Sequence, residues 1–297
     1  MSCVRHRPTP TPTSDEPDVP PDSDCCPASL RLVVSSALEN PSYILKVAQE
    51  LGVSLYSQST SQQQDYNDKH IKIDSDAVLK ICVDTLDQDG DEWLEWKYGR
   101  LTGSISYGYH TYYQNKKKHS DIDWNNKLKA TFNPSSKQKS DHMENGVLYE
   151  DDAKQAYEKE FNDRNIQKLG LFINHLVPWL GYSADGMVCV DGKIDRLWEV
   201  KTPAKGATHG AGTICSVIPY MKTGKLKEKH QYYGQIQLGM LLLSTSICDF
   251  TLYCYKSNEV YVDTIVFNDK FCLEFVKNLT NAYFTQVLPW LVSQVEP

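Results

Sequence analysis

The sequence of 297 residues has no excess of positive charge: 31 Lys and Arg stand against 38 Asp and Glu, which gives a formal net charge of −7. The overall electrostatics therefore gives no sign of a nucleic-acid partner, although a phosphate backbone needs only a local basic track. The nine cysteines include no C-x-x-C pair and no Cys/His zinc spacing. This absence excludes the common structural zinc sites.

Long apolar runs are also missing. No stretch approaches the roughly 20 residues of a membrane span, and the start of the chain is polar and rich in proline, unlike a secretory signal. The cysteine count is odd and several cysteines lie in apolar runs, so we expect reduced and mostly buried thiols. These absences predict an intracellular protein, in the nucleus or the cytoplasm, that is not secreted and has no membrane partner.

The most informative stretch is residues 181–203, GYSADGMVCVDGKIDRLWEVKTP. Two β-prone runs flank the dipeptide Asp191-Gly192, and Asp-Gly between such runs is a strong hairpin signal. The midpoint between Asp185 and Glu199 is residue 192, which falls on this turn. The predicted hairpin therefore brings the two carboxylates opposite each other.

The second arm of this hairpin carries different chemistry on its two faces. Strand side chains alternate, so Glu199 and Lys201 share one face, while Trp198 and Val200 point towards a core. Together with Asp185, this arrangement puts two carboxylates and a lysine on one small patch. Such a concentration of charge destabilises the fold unless a bound ligand compensates it, and a divalent cation is the usual ligand.

Two predicted helices each carry a polar residue on an apolar face. In the helix over 144–162, Glu150 falls on the inward stripe, which also holds Gly146, Ala153, Tyr157 and Phe161. An inward carboxylate needs a partner, which a structural salt bridge or an active site would supply. In the helix over 227–244, which is apolar nearly all round, the buried amide of Gln235 needs hydrogen-bond partners, which the core or, as the family resemblance described below implies, a catalytic water or lysine would supply.

Residues 92–113 carry cationic and hydroxyl side chains. Two interpretations are open: an amphipathic surface helix, or a site that binds phosphate. A phosphate-binding site of this kind combines such side chains with the backbone amides at the start of a helix. Its candidate members are Lys97, Arg100, Thr102 and Ser104. Residues 114–140 are basic, and two interpretations are open: a solvated loop or a segment that contacts nucleic acid.

Four motifs, one of them made of two segments of the hairpin, come in family order along the chain and resemble a known family. The S-x-D-G of residues 183–186 and the E-x-K of 199–201 are similar to the signature of the PD-(D/E)xK nuclease superfamily. Three further segments resemble the YqaJ-like viral recombinase family, which includes the phage lambda-type alkaline exonucleases. They are RLTGS at 100–104, GVLYE at 146–150 and YYGQIQ at 232–237.

This resemblance implies an α/β fold with a PD-(D/E)xK restriction-endonuclease-like core, in which helices flank a central mixed β-sheet. It implies a Mg²⁺-dependent deoxyribonuclease, with Mn²⁺ as a substitute metal. The implied activity is an exonuclease of recombination or repair that degrades linear duplex DNA from 5′ ends. The best-known relatives are ring-shaped homotrimers. Two alternatives remain open: a structure-specific endonuclease of the same superfamily and a non-cleaving nucleic-acid-binding module.

The resemblance also implies roles for individual residues. The catalytic set is Glu150, Asp185, Glu199, Lys201 and Gln235. The metal ligands are Asp185, Glu199 and the backbone carbonyl of Val200, with Glu150 completing the pocket directly or through water. Lys201 would orient or deprotonate the attacking water, or stabilise the transition-state charge. The residues that bind DNA phosphate are Lys97, Arg100, Thr102 and Ser104.

Composition divides the chain into three parts. Residues 1–28, rich in Pro, Ser, Thr and Asp, predict a disordered tail. Residues 29–86 predict an N-terminal helical extension that contains a linker at 57–66 and a helix at 74–86. The nuclease domain would span residues 87–297.

Within that domain, residues 204–229 are rich in Gly and Lys and predict a mobile loop that closes over a substrate. Two β-prone runs, at 248–255 and 259–267, predict consecutive strands. Residues 268–292 predict a long amphipathic helix at the end of the chain.

Overall fold

A five-stranded sheet lies at the centre of the protein, accompanied by two smaller sheets. The structure is a computed structural model that describes residues 27–133 and 148–295. In chain order the strands are β1 (Leu101–Thr102), β2 (Ile166–Gln167), β3 (Leu171–Phe172), β4 (Leu180–Ser183), β5 (Gly186–Val190), β6 (Lys193–Lys201), β7 (Met221–Lys222), β8 (Lys225–Leu226), β9 (Ile247–Cys254) and β10 (Glu259–Val266). The central sheet has the order β10-β9-β6-β5-β2, with β6 parallel to β9 and the other neighbours antiparallel. The predicted mixed sheet is confirmed.

The predicted hairpin forms between β5 and β6. Its turn residues, Asp191 and Gly192, have φ angles of 50° and 72°, and two positive φ angles are what a tight two-residue hairpin turn requires. Further from the turn, the register shifts between Val188 and Cys189, which leaves Asp195 of β6 without a partner on β5. This residue is a β-bulge, one extra residue on one strand of the pair.

The bulge sets the register at the open end of the hairpin. Gly186 pairs with Trp198, so Asp185, one residue earlier, stands opposite Glu199. The predicted opposition of the two carboxylates is confirmed. On its other edge β6 pairs with β9, where Glu199 lies beside Phe250, so this part of β6 is interior to the sheet.

Helices cover both faces of the sheet. In chain order they are α1 (Pro27–Glu39), α2 (Tyr43–Ser57), α3 (Ser61–His70), α4 (Ser75–Asp84), α5 (Asp91–Lys97), α6 (Gly103–Gln114), α7 (Asp121–Phe132), α8 (Glu150–Glu160), α9 (Ala211–Val217), α10 (Gln231–Leu242), α11 (Asp269–Ala282) and α12 (Leu288–Ser293). The helices predicted over 74–86, 227–244 and 268–292 are confirmed, the last as α11 and α12 joined by a π-helical turn. Within the described helices, none combines the length and apolar character needed to cross a bilayer.

The linker predicted at 57–66 is wrong, because α3 begins at Ser61. A capping box starts this helix: the Thr60 hydroxyl accepts from the Gln63 amide, and the Gln63 side chain accepts from the Thr60 amide. The segment is polar in composition, yet it buries Tyr66 and Asn67. The cap and these two contacts outweigh the loop-like composition.

The N-terminal helices share one hydrophobic core with the rest of the chain. The core runs from Leu30 on α1 to Leu291 on α12. Helix α1 packs against α4 and β6, and α2 packs against α11. The helical extension is therefore continuous with the predicted domain, while residues 1–26 of the predicted tail lie outside the described residues.

Two segments predicted as loops hold regular structure. Within 114–140, α7 starts at a capping box of Ser120 and Asp123 and buries Trp124, Leu128 and Phe132. Residues 134–140 lie outside the described residues. Within 204–229, α9 is followed by the hairpin β7–β8. Both segments pack on the core, and residues 204–229 hold regular structure where a loop was predicted.

Candidate active site

The two faces of β6 meet different surroundings. Trp198 and Val200 lie in a hydrophobic cluster with Tyr157 of α8, which confirms their predicted inward direction. Glu199 and Lys201 point to the opposite face, where α10 packs on the sheet. One strand therefore supplies both an apolar contact for α8 and a polar patch beneath α10.

Glu199 is fully buried and its carboxylate is held by three donors. Oε1 accepts from the Lys201 ammonium and from the Gln235 amide, each at 2.6 Å, and Oε2 accepts from the Tyr182 hydroxyl at 3.0 Å. Burial and then the negative charge of Asp185 raise the pKa of Glu199 to about 7, against the opposing effect of Lys201. The Glu199 carboxyl group therefore changes from protonated to ionised near neutral pH.

Asp185 and Lys201 complete the patch. Asp185 Oδ2 accepts from the Val200 amide at 2.8 Å and lies 3.5 Å from Lys201 Nζ. Burial works to lower the pKa of Lys201, but the charges of Asp185 and Glu199 outweigh it and raise that pKa, so the ammonium stays charged. Because one ammonium contacts both carboxylates, Asp185 Oδ2 and Glu199 Oε1 are at most about 6 Å apart, so the two carboxylates face the same small space.

Gln235 and Tyr182 orient Glu199. We expected Gln235 to satisfy the core or to contact the catalytic water or lysine; the structure shows it bonded to Glu199 instead. Tyr182 is absent from the residues predicted from the sequence. A Cβ on Gly103 would lie 2.8 Å from its ring and one on Gly239 would lie 2.4 Å from it, so both glycines make room for Tyr182. A glycine inside the apolar helix α10 was the sequence signal of such a close approach.

Glu150 is the first residue of α8 and lies half-buried beside the patch. Burial, followed by the charge of Asp185, raises its pKa, and the ammonium groups of Lys168 and Lys201 oppose this rise. Glu150 is therefore a third carboxylate within electrostatic reach of Asp185 and Lys201. Two residues of its predicted inward stripe, Ala153 and Tyr157, are fully buried, while Gly146 lies outside the described residues.

Arg100 is not positioned to bind a phosphate. Its side chain is fully buried, and its guanidinium donates to the carbonyls of Pro178 at 2.9 Å, Trp96 at 2.8 Å and Ile71 at 2.7 Å. These bonds tie together three segments that are distant in sequence. The structure thus contradicts the predicted phosphate contact, because the guanidinium is committed to backbone carbonyls that need a buried donor.

The other three predicted phosphate ligands occupy different positions around the patch. Thr102 is buried just before α6, and Ser104 is exposed in the first turn of that helix. Lys97 Nζ lies 3.4 Å from the centroid of the Trp93 ring, and burial lowers the Lys97 pKa to about 8. The Trp93 indole in turn donates to Ser183 Oγ at 2.9 Å, two residues from Asp185.

The donor set suits a hard divalent cation. Within residues 27–133 and 148–295, no group of three or more His, Cys, Asp and Glu side chains has the geometry of a complete metal site. The patch does offer carboxylate oxygens from Asp185 and Glu199, with the Val200 carbonyl between Glu199 and Lys201 in sequence. Mg²⁺ prefers oxygen ligands and keeps several waters, so an incomplete protein shell with two carboxylates fits it.

Comparisons with known proteins give one family match and several structural matches. The family profile described as the YqaJ-like viral recombinase domain matches residues 92–245. A search of curated proteins gave no significant match. Among solved structures, the chain is similar to LHK-Exo in complex with dAMP, with a TM-score of 0.51 and 19% identity over 69% of this chain and 96% of that one.

Two further structures are similar at lower scores. One is an alkaline exonuclease (LHK-Exo) from Laribacter hongkongensis, with a TM-score of 0.49 and 20% identity over 69% of this chain and 97% of that one. The other is a phage-related exonuclease from Haemophilus somnus 129PT, with a TM-score of 0.47 and 11% identity over 66% of this chain and 96% of that one. The profile match spans more than half of the sequence, and the chain therefore belongs to the YqaJ-like viral recombinase family and has the fold of LHK-Exo.

Proposed function

We propose that this protein is a Mg²⁺-dependent exonuclease that hydrolyses phosphodiester bonds of linear double-stranded DNA. The observation that carries the proposal is an imbalance of charge in the patch. Asp185 and Glu199 share a single ammonium group, that of Lys201, and Glu199 is fully buried. Two carboxylates with one cation leave a surplus negative charge, which a bound divalent cation would neutralise.

Asp185, Glu199 and the Val200 carbonyl would hold the Mg²⁺, and Glu150 would complete the pocket directly or through water. When bound, the metal supplies charge neutralisation at the phosphate and a lower pKa for the attacking water. The raised pKa values of Glu150 and Glu199 are consistent with this role, because a site that lacks its cation holds its protons more tightly.

Lys201 acts as a charged donor in this proposal. Its raised pKa keeps the ammonium protonated at neutral pH, so it is suited to orienting the attacking water or stabilising the developing charge on the phosphate. It is poorly suited to removing a proton from that water. Gln235 and Tyr182 fix the direction of the Glu199 carboxylate, which a metal ligand requires.

The first turn of α6 is the proposed position of a DNA phosphate. This helix has 12 residues, and the Thr102 side chain makes no hydrogen bond to its free amides. Its first residue, Gly103, adjoins Tyr182 and Gln235, which places the amides beside the carboxylate patch. A helix N-terminus favours an anion; Ser104 and Lys97 would add a hydroxyl and a positive charge.

The test is a digestion of matched linear and covalently closed circular duplex DNA, with Mg²⁺ and with a chelator. We expect Mg²⁺-dependent loss of the linear DNA alone, with mononucleotides as the product. Nicked or linearised circles would indicate an endonuclease, and binding without cleavage would indicate a non-catalytic module. Labels at the 5′ or the 3′ ends decide the polarity, and early release of the 5′ label is the expected result.

A further inference from the structure

The segment between α9 and α10, residues 219–230, concentrates positive charge on the surface. Its sequence, PYMKTGKLKEKH, contains four lysines and one glutamate in a chain whose net charge is −7. All four lysines are exposed: Lys222, Lys225, Lys227 and Lys229. This segment is therefore positively charged although the whole chain is negatively charged.

The hairpin β7–β8 in this segment is fixed to the sheet. The buried carboxylate of Asp263 on β10 accepts from Lys225 Nζ at 2.8 Å and from the Leu226 amide at 2.7 Å, and the Tyr261 hydroxyl donates to the Gly224 carbonyl at 2.6 Å. Met221 and Leu226 are buried in the main core. The backbone that carries the lysines is therefore ordered, so little backbone entropy would be lost on binding a partner.

Lys225 differs from the other three lysines. It neutralises Asp263, so its charge is already used within the fold. In the part of the chain that the structure describes, Lys222, Lys227 and Lys229 form no ion pair with a carboxylate. Lys227 Nζ donates to the Pro219 carbonyl, which directs the ammonium without neutralising it. Three positive charges remain for an anionic partner.

This segment begins next to the candidate active site. The Tyr220 ring, which immediately precedes β7, packs edge-on against Tyr232 with 5.0 Å between centroids. Lys201 Nζ lies 5.2 Å from the centroid of that same Tyr232 ring. One aromatic ring therefore separates the start of the hairpin from the lysine of the charged patch, so a polymer bound at the patch would pass close to the hairpin.

We infer that Lys222, Lys227 and Lys229 form a track that binds the phosphate backbone of duplex DNA beside the active site. The inference rests on the proposed function, because it requires DNA as the substrate, and it adds a surface that the catalytic residues do not include. Lysine suits this task, since it holds phosphate as a point charge without reading bases. The track would contribute affinity independent of DNA sequence and would release counterions on binding.

The experiment measures DNA affinity as a function of salt for the full chain carrying Lys222→Ala and Lys229→Ala together. Lys227 is left in place because its ammonium also contacts the Pro219 carbonyl. Binding of a fluorescent duplex is followed by anisotropy in a chelator, so that no cleavage occurs, at KCl concentrations from about 50 to 300 mM. If each lysine contacts one phosphate, the slope of log K against log salt becomes shallower by about 2.

Two matched variants make the result specific. Lys46→Ala with Lys270→Ala removes the same charge from exposed positions on α2 and α11, and we expect its slope to equal that of the wild type. Lys222→Arg with Lys229→Arg keeps the charge, and its slope should also be unchanged. An unaltered slope in the Lys222/Lys229 alanine variant, or an equal loss in the Lys46/Lys270 variant, would overturn the inference.

The outcome is separable from that of the proposed function. If the wild type neither binds nor cleaves DNA, the proposed function itself fails. If the wild type binds and digests DNA while the Lys222/Lys229 alanine variant retains the full salt slope, only the lysine track fails. Circular dichroism of each variant confirms that the hairpin substitutions leave the fold intact.

Discussion

Two carboxylates are fully buried on neighbouring strands of the sheet, Glu199 on β6 and Asp249 on β9. Asp249 is surrounded by balancing groups: Arg164 Nη1 lies 2.7 Å away and Arg196 Nη1 3.3 Å away, and the Tyr157 and Thr264 hydroxyls donate to it. Glu199 has a single ammonium nearby, which it shares with Asp185. The two carboxylates are equally buried, but positive charge balances Asp249 and does not balance Glu199 together with Asp185.

The difference separates a structural carboxylate from a functional one. Two guanidinium groups compensate Asp249 within the chain, and it links α8 and the segment after it to the sheet. The Glu199 patch keeps a surplus negative charge that costs stability unless a cation joins it. Buried charge left uncompensated by the fold is the feature on which the proposed metal site rests. Four predictions test this contrast, from the largest expected effect to the smallest.

Replacement of Glu199 by Gln should lower the rate of DNA cleavage by about 10³-fold, or ~4 kcal/mol, because the metal and the transition-state charge lose a ligand. The melting temperature should change little, since the variant also relieves repulsion with Asp185. Single-turnover digestion of linear duplex in Mg²⁺ measures the effect. Glu160→Gln, at the exposed end of α8, is the control and should cleave at the wild-type rate. Wild-type cleavage by the Glu199 variant would remove this residue from the active site.

Replacement of Asp249 by Asn should have the reverse profile. It leaves Arg164 without its carboxylate and Arg196 with Asp195 as its remaining partner, which we expect to cost about 3 kcal/mol of unfolding free energy and to lower the melting temperature by about 10 °C. Thermal unfolding followed by circular dichroism measures this loss. Activity per folded molecule, assayed well below the transition, should fall far less than in the Glu199 variant. A melting temperature equal to that of the wild type would refute the structural role of Asp249.

Replacement of Tyr182 by Phe should weaken Mg²⁺ binding by about 10- to 100-fold, the usual effect of losing a group that orients a metal ligand. The ring still fills the space between Gly103 and Gly239, so we expect folding to be retained. The Mg²⁺ concentration that gives half-maximal cleavage is the readout. Tyr261→Phe removes a hydroxyl that bonds elsewhere, to Gly224, and should leave that concentration unchanged. An identical Mg²⁺ dependence in the Tyr182 variant and the wild type would show that Glu199 needs no support from this hydroxyl.

The pH dependence of Mg²⁺ affinity should follow Glu199. Its pKa of about 7 means that the group must lose a proton to bind the metal when the pH is below that value. Affinity should therefore be about tenfold weaker at pH 6 than at pH 8. Isothermal titration calorimetry at the two pH values, in buffers of different ionisation enthalpy, measures both the affinity and the proton release. Affinity that is constant across this range, without proton release, would contradict the raised pKa.

Local sequence rules were sufficient where local geometry decides the outcome. The alternation of side chains along β6 and the Asp-Gly turn led directly to Glu199 and Lys201 on one face and to Asp185 opposite. The 3.6-residue period placed Ala153 and Tyr157 in the core and Glu150 on the same inward face, and the family resemblance placed Glu150 beside the patch. In each case, the answer depends on one element and its nearest neighbour, which a short segment of sequence encodes.

Tertiary contacts decided the features that the sequence did not reveal. Arg100 belongs to a motif that suggests phosphate binding, yet its guanidinium donates to two carbonyls from distant segments, Ile71 and Pro178, and to the nearby carbonyl of Trp96. Tyr182 reaches Glu199 only because Gly103 and Gly239, far apart in sequence, leave space for its ring. Helix α3 has a loop-like composition; its capping box at Thr60 and Gln63 is a local signal, but the burial of Tyr66 and Asn67 becomes recognisable only once its neighbours are known.

The unpaired Asp195 has a consequence for how such a catalytic centre tolerates insertions and deletions. With the turn held between residues 191 and 192 and no bulge, regular pairing of the same sequence would align Asp185 with Trp198, and Glu199 would be displaced along the strand. The alternation of the pleat would then send an indole to the polar side and a carboxylate into the apolar contact with α8. Deletion of Asp195 itself would remove the extra residue and the bulge together, so Asp185 would remain opposite Glu199.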